Sequence, residues 1–380
     1  MIYLDHAATS FYKPPEVAET VHRALQGTGN SGRGAHGASL EASRIVYRTR
    51  EAISNMFKVG DPSRVVFTNN ATESLNIAIQ GLLRPGDHCI TTAIEHNSVL
   101  RPLYLMEERG VQLTIIPADK KGRINVCKIE AAVRPETKAV VLTHASNVTG
   151  NVIDIETVSK ICSKHGILFI LDASQSAGLI PIDMQNVNIS ALCCSGHKNL
   201  LGPQGTGVLC LANQVLPAPL KVGGTGIDSF SHTMPKFLPE ALEAGTLNIH
   251  GLAGLLVACD YLNKYGQLRI FEEATEYAKL FIEGVKDIPD VTLYGDFESE
   301  LRTPVVALNI RDIDSKKVAD ELFERFEIAT RAGVHCAPGV HKTFGTEDQG
   351  MVRFSFSHFN TRNEVNEAIN ALKILEEESR

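Results

Sequence analysis

The chain has 380 residues, 43% of them hydrophobic and 21% charged, with a formal net charge of −7 at pH 7. The length suits one large domain plus a smaller one, since single hydrophobic cores stop growing near about 250–300 residues. The acidic balance argues against a sequence-independent grip on nucleic-acid phosphates, and there is no run of about 18 apolar residues to span a membrane.

From Arg64 onward, short apolar runs alternate with amphipathic stretches. Strands are predicted at 65–67, 88–92, 113–116, 139–143, 167–171, 189–194 and 207–211, with helices at 72–83, 99–109, 128–133 and 155–164. Val- and Ile-rich strands separated by helices of this length predict an α/β fold with a mostly parallel seven-stranded sheet covered on both faces. A long helical stretch follows at 251–265, and then the pattern restarts. Strands near 305–308 and 351–355 and helices at 315–326 and 361–377 predict a smaller α+β C-terminal domain. The expected division is 16–255 for the large domain and 256–380 for the small one, with residues 1–15 packing with the small domain.

Eight cysteines, at 89, 127, 162, 193, 194, 210, 259 and 336, form no C-x-x-C pair, so no metal site is expected. Most lie in apolar runs, where a thiol behaves as a small hydrophobe. The first residues, Met1 to His6, carry neither a basic nor an apolar leader pattern, and a reducing cytoplasm is the expected compartment.

In an open parallel sheet, ligands collect beyond the carboxyl ends of the strands. Five predicted strands run into polar groups there: Thr68 to Glu73, Glu95-His96-Asn97, Ser146 to Gly150, Asp172 to Gln175, and Ser195-Gly196-His197-Lys198. Thr72 opens a helix whose free N–H groups and positive dipole end suit a phosphate; an ordinary N-cap would look the same. Asp172 ends a buried strand, where a carboxylate needs a facing cation. A pyridinium nitrogen would serve, and so would a structural ion pair. His96 suits stacking and proton transfer, while Asn147 and Gln175 suit hydrogen bonds to a ring hydroxyl. Lys198 follows a strand, where desolvation and neighbouring cations activate an amine.

A second cluster, Arg331-Ala332-Gly333-Val334-His335-Cys336-Ala337-Pro338, is rich in Gly and Pro and reads as a mobile loop with a partly exposed Cys336. Arg331 and His335 stand where they would stabilise a thiolate, the nucleophilic form. Arg353, in the next predicted strand, has the side chain for bidentate capture of a substrate carboxylate; an ordinary ion pair is the alternative.

Tyr3-Leu4-Asp5-His6-Ala7-Ala8-Thr9, Glu95-His96, Ser146 to Gly150, Asp172 to Gln175, Ser195-Gly196-His197-Lys198 and Met351-Val352-Arg353-Phe354-Ser355 occur in one recognisable order. On these motifs the chain resembles the cysteine desulfurase and selenocysteine lyase family, which has the class V aminotransferase fold (fold type I of pyridoxal-phosphate enzymes). The resemblance implies pyridoxal 5′-phosphate held by Lys198 as a Schiff base, with Asp172 on the pyridine nitrogen and His96 stacked on the ring. It places Gln175 and Asn147 near the ring hydroxyl, and Thr72, Ser195 and His197 at the phosphate. Glu243-Ala244-Gly245-Thr246 resembles a segment whose Thr reaches the phosphate in a neighbouring subunit, which implies a homodimer. Arg33 and His36 resemble residues that approach the partner's substrate site.

Arg331-x-Gly333-x-His335-Cys336-Ala337 resembles the loop of the group II, Suf-type, enzymes. By that likeness Cys336 takes sulfur from L-cysteine as a persulfide and releases L-alanine, Arg353 and Asn147 hold the substrate, and an acceptor protein collects the sulfur. The readings left open are a selenocysteine lyase, another class V enzyme (an aminotransferase or a β-elimination lyase), and a non-catalytic carrier. Two departures stand out: Val334 where the motif has a first His, and Ala71 where many relatives have a second Thr. His341, in the segment 339–350, has no assigned role.

Overall fold

In the computed structural model, which describes residues 1–31 and 34–379, the apolar runs become the strands of a central sheet. β1 (Ile2–Tyr3), α1 (Pro15–Gly27) and α2 (Gly37–Phe57) precede it. The sheet and its crossovers are β2 (Val65–Thr68), α3 (Ala71–Leu82), β3 (His88–Thr92), α4 (Asn97–Glu108), β4 (Gln112–Ile116), α5 (Val126–Ala131), β5 (Thr137–Thr143), α6 (Ile155–His165), β6 (Leu168–Asp172), β7 (Ala191–Ser195) and β8 (Gly207–Leu211).

The strand order is β2-β8-β7-β6-β5-β3-β4. Strand β8 runs antiparallel to both neighbours, and every other pair is parallel. The expected mostly parallel seven-stranded sheet is therefore present. Because β2 and β7 both oppose β8, they point the same way, and the carboxyl ends of β2, β3, β5, β6 and β7 share one edge. All residues of β3, β7 and β8 are buried, which is why β7 and β8 read as nearly unbroken apolar runs. Edge strand β4 instead exposes Gln112 and Ile115.

The other edge, β2, is closed by side chains. The Phe67 N–H donates to Glu243 Oε1 at 2.6 Å, and the Val65 carbonyl accepts from Arg50. Arg50 in turn donates to Glu243 Oε1 at 2.8 Å and lies over the Phe67 ring at 4.6 Å. The two side chains are 8% and 7% exposed, so neither charge has water as a substitute partner. Glu243→Ala is expected to lower stability by about 3–5 kcal/mol, the usual cost of orphaning a buried charge. Urea unfolding checks this; a midpoint unmoved by the substitution would remove the ion pair from the account of this edge.

The C-terminal part comprises α7 (Ile249–Tyr265), α8 (Gln267–Val285), β9 (Val291–Tyr294), β10 (Val305–Ile310), α9 (Ser315–Phe326), β11 (Ile328–Ala329), β12 (Arg331–Gly333), α10 (Pro338–Phe344), β13 (Met351–Ser355) and α11 (Arg362–Glu378). Its sheet has the order β12-β13-β10-β9, antiparallel throughout, as expected for an α+β unit. Its core gathers Phe281, Phe354, Phe356, Val365 and Leu372, together with Ile2 and Leu4 from the N-terminal segment. Strand β1 pairs with β11, which fastens that segment to this part. The residue expected to begin the small domain, 256, falls inside α7. Its later residues Ala258, Cys259 and Leu262, and Ile270 of α8, still belong to the large core. Helices α1, α2 and α8 and strand β9 had no counterpart in the sequence reading.

Among the described residues no helix is long and apolar enough to cross a membrane.

Candidate active site

Ten residues singled out from the sequence, Thr72, His96, Asn147, Asp172, Gln175, Ser195, His197, Lys198, Cys336 and Arg353, line a single cleft of about 460 Å³. The shared carboxyl edge of the large sheet supplies most of them; the small sheet supplies Arg353, and the turn after its strand β12 supplies Cys336. A cleft of this size suits a small organic ligand.

Lys198 follows β7 and is half-buried in the cleft. Desolvation pushes its amine from 10.5 down to about 8, with Asp172 pulling the other way and Arg353 and Arg331 adding to the fall. A neutral amine is a nucleophile and a base. In the cofactor-free protein, labelling of Lys198 by an amine-directed acylating reagent is expected to rise about tenfold per pH unit up to about pH 8 and then level off. Mass spectrometry at this site checks the midpoint; a value shared with the exposed lysines would contradict the desolvated setting.

Asp172 ends β6 and is 3% exposed. Its Oδ1 accepts from the Ser174 N–H at 2.9 Å and from the Ser174 hydroxyl, so the carboxylate is aimed by the turn that follows it. His96 is the N-cap of α4, and its Nδ1 accepts from the Ser98 N–H at 3.0 Å. That bond leaves the ring proton on Nε2. Burial, with Lys198 next in size, lowers the imidazole pKa to about 4, so His96 is a neutral Nε2–H donor. Glu95 joins the ends of two strands, accepting from the Thr92 hydroxyl and, at 2.8 Å, from the Thr143 N–H. Burial pushes its carboxyl well up.

At the end of β2 the helix begins one residue earlier than expected. Asn70, not Thr72, is the N-cap of α3, accepting from the Glu73 N–H at 3.0 Å. Thr72 lies inside the first turn, its hydroxyl 2.8 Å from the Ser98 hydroxyl. The Ser195 hydroxyl accepts from the Ala71 N–H at 3.1 Å, which ties this turn to β7. Strand β8 comes so close that a Cβ on Gly207 would stand 2.5 Å from the Asn70 carbonyl carbon; only glycine fits. The His197 carbonyl accepts from the Ser10 N–H and hydroxyl, each at 3.0 Å, and the Gln175 amide donates to the Ala7 carbonyl at 3.0 Å. The N-terminal segment therefore straps this side of the cleft.

The segment around Cys336 departs from expectation. It is not one long loop: strand β12 leads into it and α10 leaves it, Pro338 being the first helical residue. The turn between them is pinned. Asn147 Nδ2 donates to the His335 carbonyl at 2.8 Å, and the Asn97 N–H donates to the Cys336 carbonyl at 2.7 Å. His335 and Cys336 both have left-handed backbones, with φ of 52° and 55°. The Cys336 thiol is exposed, as expected. His335 does not offer it a positive charge: the ring is 9% exposed, its Nε2–H donates to the Arg331 carbonyl at 3.2 Å, and burial holds its pKa well below the usual value. His341 is fully buried, lies parallel to His335 at 5.9 Å between centroids, and is held by Thr346 at 2.9 Å.

Arg353 is 3% exposed, not a surface ion pair. Its Nη1 donates to the Asn147 carbonyl at 3.0 Å and its Nη2 to Asp5 Oδ1 at 2.6 Å. Thr246 lies outside this cleft and lines a second one with Asn30, Arg50 and Glu243. His36 is the N-cap position of α2 and is absent from the Lys198 cleft, while Arg33 lies outside the described residues. Sequence reasoning missed Asp5, Asn70, Ser98 and Ser174. Only the capping types Asn70 and Ser98, flanking predicted helix starts, offered a signal.

A family model for class-V aminotransferases matches residues 2–367. The chain belongs to the class-V aminotransferase family. Within it, the chain is 33% identical over 371 residues to a probable cysteine desulfurase of Methanothermobacter thermautotrophicus, covering 96% of this chain and 92% of that protein. It is 30% identical over 399 residues to cysteine desulfurase IscS of Vibrio vulnificus, covering 100% and 93%. The apo structure of a cysteine desulfurase from Thermococcus onnurineus superposes with a TM-score of 0.92 at 30% identity over 99% of this chain and 95% of that one. Cysteine desulfurase CsdA of Escherichia coli superposes with a TM-score of 0.88 at 27% identity, over 99% and 94%.

Proposed function

We propose that this class-V enzyme is a pyridoxal-phosphate-dependent cysteine desulfurase: it converts L-cysteine to L-alanine and takes the sulfur onto Cys336 as a persulfide. The observation that carries the reading is an exposed thiol on a pinned turn, in the same cleft as the desolvated Lys198 amine and the buried Arg353. The cysteine desulfurases that match over nearly the whole chain support the same reading.

The cleft's donors fit the cofactor. Lys198 is the amine that would bond its aldehyde, and Asp172 the carboxylate for a protonated ring nitrogen. The first turn of α3 with Thr72, Ser195 and His197 would hold the phosphate, and Gln175 and Asn147, which line the same cleft, would serve the ring hydroxyl. When bound, the cofactor supplies an electron sink for bonds broken at the amino acid's Cα and Cβ.

The chain's own groups do the rest. Arg353 binds the substrate carboxylate, with the Asn147 backbone fixing its guanidinium. Lys198, neutral above about pH 8, takes the proton from Cα, and His96, holding its proton on Nε2, is a donor lining the cleft that would cover the cofactor ring. The Cys336 sulfur attacks the substrate sulfur as the Cβ–S bond breaks. One S–S bond forms, and the carbon fragment leaves as alanine after gaining protons in place of sulfur.

We further take Thr246, His36 and Arg33 to serve a second copy's cleft in a homodimer, and an acceptor protein in the cytoplasm to collect the sulfur. The test is alanine and sulfide release under reducing conditions by the purified, cofactor-loaded protein, with L-cysteine and L-selenocysteine assayed in parallel. Alanine from cysteine in step with sulfide supports the proposal. A keto acid in place of alanine, or alanine from selenocysteine alone, overturns it.

A further inference from the structure

Two arginines face each other across the small sheet. Arg331 of β12 and Arg353 of β13 are register partners in an antiparallel pair, an arrangement that is unfavourable for like charges. Arg353 is also buried, and burial works against its charge. The N-terminal segment answers both problems. It is anchored by β1 on β11 and by the Ser355 N–H donating to the Leu4 carbonyl at 2.7 Å. Asp5 thereby lies between the two guanidiniums, its Oδ1 2.6 Å from Arg353 Nη2 and its Oδ2 3.5 Å from Arg331 Nη1. Arg353 Nε has no partner among the described residues, and both arginines line the cleft.

Two positive charges and one carboxylate leave a single positive charge, the complement of one substrate carboxylate. We infer that Asp5 is a positioning residue for the amino-acid substrate: it holds Arg353 in place, cancels the repulsion from Arg331, and leaves one net positive charge for the α-carboxylate. This rests on the reading of the cleft as an amino-acid site. Asp5 touches the guanidiniums and acts through them.

The experiment compares wild type, Asp5→Ala and Asp5→Asn, each loaded with cofactor and matched for melting temperature and cofactor content. Affinity for L-alanine, the product, is read from the change in cofactor absorbance, which needs no turnover; KM and kcat for L-cysteine are measured alongside. Asp5→Ala is expected to weaken L-alanine binding and raise KM by about 10–100-fold, the weight of a charge-assisted pair, with kcat nearly unchanged. Asp5→Asn, which keeps an oxygen acceptor for Arg353, is expected to recover part of the loss. Unchanged or tighter L-alanine binding in Asp5→Ala overturns the inference, as does a fall in kcat as large as the fall in kcat/KM. If wild type itself responds to neither amino acid, the amino-acid reading falls and the role of Asp5 with it; if wild type responds and Asp5→Ala matches it, only the role of Asp5 falls.

Discussion

Lys198→Ala is expected to reduce alanine formation by at least about 10³-fold while leaving the fold intact. Two roles vanish with the amine: bonding the cofactor and moving the Cα proton. Stability should not suffer. The amine's pKa in the folded chain is about 8 against 10.5 unperturbed, so below pH 8 its charge disfavours the folded state, and its removal lifts that penalty. The melting temperature of the cofactor-free variant is therefore expected to equal or exceed that of wild type. Lys198→Arg should not restore activity, because a guanidinium stays charged at any working pH. Retained turnover in Lys198→Ala, or a collapse of the melting transition, would contradict the assignment.

Cys336→Ala is expected to lower alanine release from L-cysteine by about 10²-fold or more, equivalent to about 2.7 kcal/mol of transition-state stabilisation. Alanine is the right replacement. With φ at 55°, glycine would relax the backbone as well as remove the sulfur, whereas alanine keeps the same strained turn and isolates the thiol. The bonds from Asn147 and Asn97 go to backbone carbonyls, so they survive, and cofactor absorbance should match wild type. Mass spectrometry of wild type after a brief exposure to L-cysteine should find one added sulfur on Cys336 and none on the variant. Full turnover in the variant would make the thiol incidental and return the protein to the wider class-V chemistry.

The large sheet was legible because its inner strands are buried on both faces, so that composition alone marks Cys89 to Thr92 or Leu168 to Leu171 as strand. The site was legible for the same reason: polar residues that interrupt such runs at one edge have little else to do. Tertiary relations were not. Pro338 and Gly339 read as loop formers, yet a proline at the first helical position starts α10. His335 beside a cysteine reads as a positive neighbour, until burial keeps its ring neutral. Asp5 looks like any acidic residue near a chain end, because its partners Arg331 and Arg353 lie more than 300 positions away. Asn147 was assigned to the cofactor, and nothing local reveals that its amide also holds the nucleophile's turn.

The strap formed by the N-terminal segment has a consequence for synthesis. Asp5 and Arg353 are separated by 348 positions, and β1 waits nearly as long for β11. At about 5–20 residues per second, the second partner leaves the ribosome roughly 20–70 s after the first. Only in the last part of that interval, once Lys198 and helices α7 and α8 have emerged, can the large core close and present the amine, while the first residues still have no sheet to join. Loop closure over such a span comes late in folding. The nascent chain thus carries its amine before it carries its carboxylate anchor, and a translation product ending short of β13 would have the former without the latter.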